Sequence, residues 1–111
     1  MLDPDTDSTI RYEQGFAAVP DALIRDPRTS PYHIAVFAAL ATFANKADRA
    51  WPSQSTLATL TNCSRRKIGM TIEELVEWGW VVVERRGGFD PVTRKNVSSV
   101  YALQRLLQGR A

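Results

Sequence analysis

Two helical patterns with almost no chain between them constrain this fold more than any other feature of the sequence. The first pattern begins after Ser53, a good N-cap, and Asn62 breaks it. Its inward-facing residues are predicted to be Leu57, Ala58 and Leu60. Ser64 caps the second helix, which Gly79 ends by taking a left-handed conformation. The buried stripe of this second helix is predicted to contain Ile68, Ile72, Leu75 and Val76.

The spacing within this pair meets the demands of a helix-turn-helix. Such a pair needs a small residue at the helix crossing, a turn residue tolerant of positive φ, and an apolar residue on the second helix. Ala58, Asn62 and Ile68 meet these demands in that order, because Asn tolerates the left-handed region better than most residues. Cys63 fills the apolar site in the turn. A helix-turn-helix often binds DNA, but tight helix pairs also occur in proteins that never touch DNA. The pair alone therefore leaves open both DNA binding and a purely structural role.

The densest positive charge of the chain lies at the start of the second helix, where the helix dipole disfavours cations by about 0.3–1 kcal/mol each. Contacts to phosphates offset that cost if the helix enters a DNA groove N-terminus first. The outward-pointing residues are predicted to be Arg66, Met70 and Glu73, flanked by Arg65, Lys67 and Gly69. The alternative is a solvated basic face. A glycine inside a helix, such as Gly69, lowers the stability of the helix by about 1 kcal/mol relative to Ala. Either close approach of the helix to DNA or helix packing explains why glycine is present there.

A β-hairpin is predicted after the second helix. Residues 80–86 and 97–103 are typical of its two strands, and residues 87–96 of a turn region with Gly-Gly and Asp-Pro pairs. The tip is predicted to be basic, with Arg85 and Arg86 before the turn and Arg94 and Lys95 after it. Such a ribbon lies beside the second helix, and its tip can reach an adjacent groove or the backbone of a DNA duplex. The alternative is a solubilising loop without a partner.

A longer apolar helix precedes the pair. Ser30 is a suitable N-cap for it, and Asn45 is predicted to end it. Its apolar residues recur at helical spacing, which places it at the centre of the core: Ile34, Phe37, Ala38 and Ala41. Residues 15–20 are predicted to form a short strand, and residues 21–26 one or two helical turns capped by Asp21.

Charge is unevenly distributed along the 111 residues, although the net charge is only +2. Residues 1–27 carry six acidic and two cationic side chains, whereas residues 28–111 carry six acidic and twelve cationic ones. The asymmetry indicates an anionic partner for the C-terminal part. We expect an acidic flexible lead over 1–14, one domain over 15–105 and a short tail over 106–111. The lead or the tail, which contains Leu106 and Leu107, is a candidate contact for a protein partner.

Several functional classes are disfavoured by the composition. No apolar run approaches the ~20 residues of a membrane span, and the acidic N-terminus does not resemble a signal peptide. A single cysteine excludes an intramolecular disulfide framework and fits a reducing cytosol, so we expect a cytoplasmic protein.

Catalytic and metal sites are also disfavoured. His33 is the single histidine, so neither a zinc site nor a Cys–His pair can be completed, and we expect no enzyme, metal or cofactor. We expect His33 at the partly exposed start of its helix. The tryptophans are expected to pack in the core and around the helix end: Trp51, Trp78 and Trp80. The clustered acids are expected to form solvated surface: Glu73, Glu74 and Glu77.

The stretch WPSQSTLATLTNCSRRKIGMTIEELVEWGWVVVERR resembles the winged helix-turn-helix domain of bacterial regulators. It is most similar to the versions in plasmid and phage replication initiators and other mobile-element proteins. The late SSVYAL strand also matches, so the resemblance covers roughly residues 16–104. It implies an α+β, mainly α fold: a three-helix core with a small antiparallel sheet and a basic β-hairpin wing. The implied ligand is double-stranded DNA.

The resemblance also assigns roles to individual residues. The recognition helix, residues 64–78, enters the major groove, and the wing, residues 85–96, lies on the backbone or in the minor groove. The implied DNA-binding residues are Ser53, Gln54, Ser55, Ser64, Arg65, Arg66, Lys67, Gly69, Met70, Arg85, Arg86, Arg94 and Lys95. Met70 can touch a thymine methyl, and Glu73 can accept from a cytosine amine.

Two functional hypotheses follow from these assignments. The first is a sequence-specific DNA-binding protein, either a small transcriptional regulator or an accessory in plasmid or phage replication or segregation. A lone winged domain offers few base contacts, so we expect a homodimer on a two-fold site. The second is a module that uses the same fold to dock a protein in a replication or segregation complex.

Overall fold

The computed structural model describes residues 16–104, and the predicted acidic lead and C-terminal tail lie outside that range. Four helices are present among these residues: α1 (Asp21–Arg25), α2 (Pro31–Phe43), α3 (Gln54–Thr61) and α4 (Arg65–Glu77). Five short strands are interspersed: β1 (Arg49–Ala50), β2 (Val81–Arg85), β3 (Gly88–Asp90), β4 (Lys95–Val97) and β5 (Val100–Leu103). The predicted α+β, mainly α architecture is confirmed.

The core lies where α2, α3 and α4 meet one face of a small sheet. Each helix contributes fully buried side chains, among them Phe37, Leu57 and Ile68. Burying a side chain of this size stabilises the fold by about 1.5–3 kcal/mol, so these positions hold the three helices in one arrangement. Leu60, predicted to face inward, is instead 57% exposed. The short α3 turns only part of its surface toward the core.

An antiparallel sheet with strand order β1-β5-β2 closes the core. Its inner face includes Tyr101 and Leu103, which pair with Val83 and Val81 across the β2–β5 ladder. The short strand β1 was not predicted, because two residues carry no alternating pattern. A bidentate ion pair between Arg49 and Glu84, with N–O distances of 2.8 and 2.7 Å, spans the sheet.

The hairpin after α4 contains two sheet segments. The predicted returning strand is divided into β4 and β5, and β4 pairs with β3 in a separate two-stranded ribbon. Residues 87–96, predicted as a turn region, therefore include most of that ribbon. The turn itself is the four residues between Asp90 and Lys95, where Arg94 adopts a left-handed φ of 60°.

The N-terminal predictions need two corrections. Residues 16–20 are not paired as a strand, and Pro20 rather than Asp21 is the N-cap of α1. The carbonyl of Pro20 accepts hydrogen bonds from the N–H groups of Leu23 and Ile24, at 3.1 and 3.3 Å. The extended residues 16–20 therefore lead directly into α1 and do not pair with a neighbouring strand.

The ends of the longer helices agree closely with their sequence signals. Ser30 is the N-cap of α2, which ends at Phe43, slightly before the predicted Asn45. Gly79 has a φ of 86°, as predicted. Its N–H donates to the carbonyl of Val76, and the N–H of Trp80 donates to that of Leu75, at 3.1 and 2.9 Å. These two bonds form a Schellman motif that ends α4.

Candidate nucleic-acid interface

The turn between α3 and α4 has helix-turn-helix geometry. Asn62 takes the left-handed conformation predicted for it, with φ 56° and ψ 41°. The N–H of Cys63 donates to the carbonyl of Ala58 at 3.0 Å, and Cys63 packs partly buried against the core. The Ser64 hydroxyl then accepts from the N–H of Lys67 at 3.0 Å and caps α4. The turn therefore joins the helices with a short connection and holds their relative orientation.

The three cations at the start of α4 differ in exposure and in their contacts. Arg65 and Arg66 are exposed, and no ion-pair partner is found for either among residues 16–104. Lys67 is half-buried, and its Nζ lies 4.2 Å from the centre of the Tyr32 ring. Met70, 53% exposed, continues the outward face one turn later. Two arginines are thus free to meet a ligand, while an aromatic ring on α2 holds the lysine in place.

The opposite side of α4 is fixed to α2. Ile68, Thr71, Ile72 and Leu75 are buried. His33 is also buried, at 6% exposure, although it was predicted to be partly exposed. Its Nδ1 accepts from the N–H of Ser30 at 2.9 Å, so the proton is on Nε2, which donates to Glu74 at 2.7 Å. The Trp78 ring packs 4.6 Å from the His33 ring. Glu74 is therefore a structural partner of His33, whereas it was predicted to be solvated surface.

A groove of about 560 Å³ separates the start of α3 from the wing. Ser53, Gln54 and Arg65 border it on the helical side, and Gly87, Gly88 and residues 96–99 border it on the wing side. The Ser53 hydroxyl caps α3 by accepting from the N–H of Thr56 at 3.0 Å. Ser55 lies exposed in the first turn of α3. The first N–H groups of this helix have no intrahelical partner, which makes its start suitable for an anion.

Gly69 faces the Gln54 side chain across the α3–α4 contact. A methyl group at this position would lie 3.7 Å from the Gln54 Oε1, which is ordinary van der Waals distance. Packing within the described residues therefore does not require glycine here, and the alternative of close approach to a ligand stays open.

The base of the wing requires glycine at position 87. A Cβ on Gly87 would overlap the backbone of Val97 and lie 2.6 Å from the Ser99 nitrogen. The N–H of Gly87 donates to the Ser99 hydroxyl at 2.8 Å, and the Arg85 guanidinium donates to the Ser98 carbonyl at 3.3 Å. These contacts set the direction in which the ribbon leaves the domain.

The four wing cations do not share one tip, which corrects the sequence prediction. Arg94 and Lys95 lie at the turn, whereas Arg85 pairs with Val100 at the base of the hairpin. Asp90, the last residue before the turn, is five positions after Arg85, about 16 Å at strand spacing. Arg86 lies between the wing and α4, with its Nη1 3.3 Å from the Glu73 carboxylate. The charge therefore runs along the hairpin, and one cation is already paired with the recognition helix.

Asp90 organises the wing turn. Its carboxylate accepts from the N–H of Val92 at 2.9 Å, and this hydrogen bond is the largest cause of a pKa lowered below the ordinary aspartate value. The Asp90 carbonyl accepts from the N–H of Arg94 at 2.7 Å. The one acidic side chain of the turn thus has a structural role, and the cations at the tip stay exposed.

Sequence reasoning missed Tyr32 and misplaced Trp51. Tyr32 precedes Lys67 by more than thirty residues, so only the fold brings them together. Trp51 is 53% exposed, although it was predicted to pack in the core. Among residues 16–104, no cluster of three potential metal ligands occurs, and no helix is long and apolar enough to cross a membrane.

Comparison with known families agrees with this geometry. Residues 30–81 match the model of a family described as a helix-turn-helix domain. The matched segment extends from the N-cap of α2 through the turn at Asn62 to the first residue of β2. None of the curated proteins matches the chain significantly. The match supports a helix-turn-helix DNA-binding domain over residues 30–81, and the hairpin that follows gives the described residues the fold of a winged helix-turn-helix.

Proposed function

We propose that this protein binds double-stranded DNA sequence-specifically, with α4 in the major groove and the wing on the adjacent backbone or in the minor groove. The observation that carries the proposal is the groove in which Arg65, the start of α3 and the wing meet. Arg65 is the cation among the residues that line this groove, and the first N–H groups of α3 border the same concave surface. A phosphate backbone that enters the groove meets both.

Within this arrangement, the residues divide into positioning and reading roles. Phosphates contact the start of α3 at Gln54 and Ser55, together with Arg65 and Lys67. Arg66 and Met70 point away from the core and reach base edges, Arg66 by bidentate hydrogen bonds to guanine and Met70 by contact with a thymine methyl. Contacts along the wing backbone come from Arg85, Arg86, Arg94 and Lys95.

Specific binding by so small a reading surface requires two copies. Arg66 and Met70 together distinguish only a few base pairs, so we propose a homodimer on a two-fold site with half-sites about 10 base pairs apart. A cytoplasmic protein of this kind acts as a small bacterial transcriptional regulator or as an accessory in plasmid or phage replication or segregation.

A salt titration on random duplex tests DNA binding. Affinity is expected to fall steeply with salt, and Arg66→Ala and Arg94→Ala each flatten the logarithmic slope by about one. Arg25→Ala is the matched control, because it removes an exposed cation from α1, outside the proposed interface. An affinity no tighter than about millimolar at low salt would contradict DNA binding and favour a protein-docking module.

Selection from a random duplex pool tests specificity. We expect a two-fold symmetric consensus, with guanine or thymine at the positions that Arg66 and Met70 reach. Repeating the selection with Met70→Ala is expected to relax the thymine preference while leaving the guanine positions enriched. A pool that binds without enrichment would contradict specific recognition.

A further inference from the structure

An open groove of about 780 Å³ lies where the connection between α1 and α2 meets the end of α4. Its apolar lining comes from Ala22, Pro27, Trp78 and Trp80. Trp80 is 7% exposed and Trp78 is partly buried, so the two indole rings form part of the wall of the groove. A wall with this much aromatic surface is stabilised when a further apolar side chain covers it.

The two arginines that line this groove are already paired. The Nη2 of Arg28 lies 2.6 Å from the Asp26 carboxylate, and the Nε of Arg25 lies 3.6 Å from the Asp21 carboxylate. The Arg28 guanidinium also lies 4.8 Å from the centre of the Trp78 ring. Each arginine thus has a carboxylate within its own short segment, so the lining favours an apolar occupant over an anionic one.

The described part of the chain ends beside the same groove. The N–H of Gln104 donates to the carbonyl of Trp80 at 2.9 Å, which extends the pairing of β2 with β5 by one residue. Opposite residues of an antiparallel ladder have their side chains on the same face, and every second residue keeps that face. The chain therefore leaves the domain alongside Trp80, and a strand continued from Gln104 would bring Leu106 opposite Trp78.

We propose that residues 105–111, called the C-terminal segment below, dock in this groove with Leu106 and Leu107 against the two tryptophans. The sequence of the segment is RLLQGRA, so its two large apolar side chains come almost directly after Gln104. Its remaining residues are polar or small. The apolar part of the segment and the apolar lining of the groove are therefore next to each other along the chain.

Tethering favours this segment over a separate apolar partner. Leu107 is three residues beyond Gln104, at most about 11 Å along an extended chain. A group held so close has an effective concentration in the millimolar range or above, which a free partner would have to exceed. The acidic lead enters the domain elsewhere, because Ala17 lines a different groove, beside Ala38 and Leu60.

Docking of the segment would restrain the end of α4 that lies opposite its basic start. Trp78 is the C-cap of α4, and the thirteen residues of the helix separate it from the start at Arg65 by about 20 Å. The C-terminal segment would therefore cover the groove without covering the proposed DNA contacts. The inference does not depend on DNA binding and is tested without DNA.

Tryptophan fluorescence of the full chain tests the docking. In a Trp51→Phe background the emission comes from Trp78 and Trp80 alone, because the chain has three tryptophans. Leu106→Asp is expected to shift this emission to the red and to strengthen its quenching by acrylamide, since the carboxylate removes the segment from the rings. Ala111→Asp is the matched control, because it adds the same carboxylate to the same segment five positions later.

Circular dichroism checks that each variant is folded. Unchanged emission in Leu106→Asp, or an equal red shift in Ala111→Asp, would overturn the docking. The first result would show that the leucine does not cover the tryptophans, and the second that any added charge in the segment has the same effect.

Disulfide cross-linking tests whether the occupant is the chain's own segment. In a Cys63→Ala background, Ala22→Cys in the groove is combined with Gln108→Cys in the segment, and the pair is oxidised with diamide. We expect a cross-link within one chain, at a rate that does not depend on protein concentration. Electrophoresis without reducing agent distinguishes a cross-linked monomer from a cross-linked dimer.

Ala47→Cys with Gln108→Cys is the matched control pair. Ala47 is exposed and precedes Asp48, whose carbonyl accepts from the N–H of Leu103 at 2.9 Å on the β1 side of β5. This position is near the same end of the described chain but outside the groove, so we expect little cross-link. Equal cross-linking of both pairs would show a segment without a fixed place, and dimers linked through Ala22→Cys would assign the groove to a second copy. Either result would overturn the proposal.

Discussion

Helix α4 and the wing both carry exposed arginines, but the two elements are held in different ways. One side of α4 is buried against the core along four residues, and its two ends are fixed by the Ser64 cap and the Gly79 turn. The ribbon of β3 and β4 has no buried residue and joins the domain through the contacts of Gly87 and Arg85. Hydrophobic burial therefore places α4, whereas close backbone approach and hydrogen bonds place the wing.

This difference indicates a division of labour. A helix locked into the core holds the side chains that we propose to read bases at a fixed angle, with little loss of entropy on binding. A ribbon with few anchors adjusts to the backbone that it meets, which suits non-specific phosphate contact.

The largest effect is expected from removing the buried anchor of α4. Ile68→Ala leaves a cavity in the core and should lower the free energy of unfolding by about 2–5 kcal/mol. Phe89→Ala, at a wing position that is 63% exposed, should change it by about 0.5 kcal/mol or less. Urea unfolding followed by circular dichroism measures both, with Met70→Ala as a control on the outer face of α4. Equal destabilisation by Ile68→Ala and Phe89→Ala would contradict a wing that is held without hydrophobic burial.

The next effect concerns glycine in the two elements. Gly87→Ala forces the base of the wing apart and should lower the free energy of unfolding by about 1–3 kcal/mol. Gly69→Ala has room for its methyl group and should raise it by up to about 1 kcal/mol through better helix propensity. Thermal unfolding distinguishes the signs. Duplex affinity of Gly69→Ala then decides the open question, because a loss of affinity in a more stable protein indicates close approach to DNA.

A smaller effect is expected where the wing meets the helix. Glu73→Gln frees Arg86 and removes one negative charge from the face of α4, so duplex affinity should rise several-fold at low salt. The pair is exposed, so stability should change by less than about 1 kcal/mol. Glu77→Gln removes the same charge from the same helix without touching the wing. If both variants bind alike, Arg86 is not restrained by Glu73.

The smallest effect is electrostatic. A side-chain hydrogen bond from Arg28 lowers the pKa of Asp26 from 3.8 to about 2. The Arg28 guanidinium also lies 4.8 Å from the centre of the Trp78 ring, and Trp78 is the C-cap of α4. Because the folded pKa is depressed, this contribution to stability is present above pH 3.8 and is lost as the pH falls through about 2. Arg28→Ala should return the Asp26 titration midpoint, followed by carboxyl NMR, toward 3.8.

Asp90 in the wing is the internal control for that titration. Its pKa is lowered mainly by the N–H of Val92, so Arg28→Ala should leave its midpoint where it is. A shift of both midpoints would show that Arg28 also acts on the wing turn, contrary to the separate local hydrogen bonds that lower the two pKa values.

Local signals in the sequence predicted most of the helical framework. Ser53 and Ser64 as caps, Asn62 in the turn and Gly79 at the end of α4 each act through backbone groups within a few residues. Such preferences are readable without knowledge of the fold. Strands were less predictable, because β1 is short and the ribbon's pairing depends on its partners.

The role of the predicted DNA-binding residues stays a prediction, but the structure shows how these residues are arranged. The structure brings Ser53, Gln54 and Arg65 to one groove with the wing, but it disperses the wing cations along the hairpin. It also engages Lys67 with Tyr32 and Arg86 with Glu73. These are contacts between side chains distant in sequence, which periodicity and charge counts do not reveal.

The caps of α3 and α4, the turn at Asn62 and the positive charge at the start of α4 could be predicted from the sequence, because they follow from local backbone preferences and side-chain chemistry. Which cations remain available and which apolar residues stay uncovered depends on how the whole chain packs. Leu60 illustrates the reason: its spacing is that of a core residue, but the packing angle of α3 leaves it exposed beside Phe43. Exposure depends on what the rest of the chain places nearby, and that is a property of the whole fold.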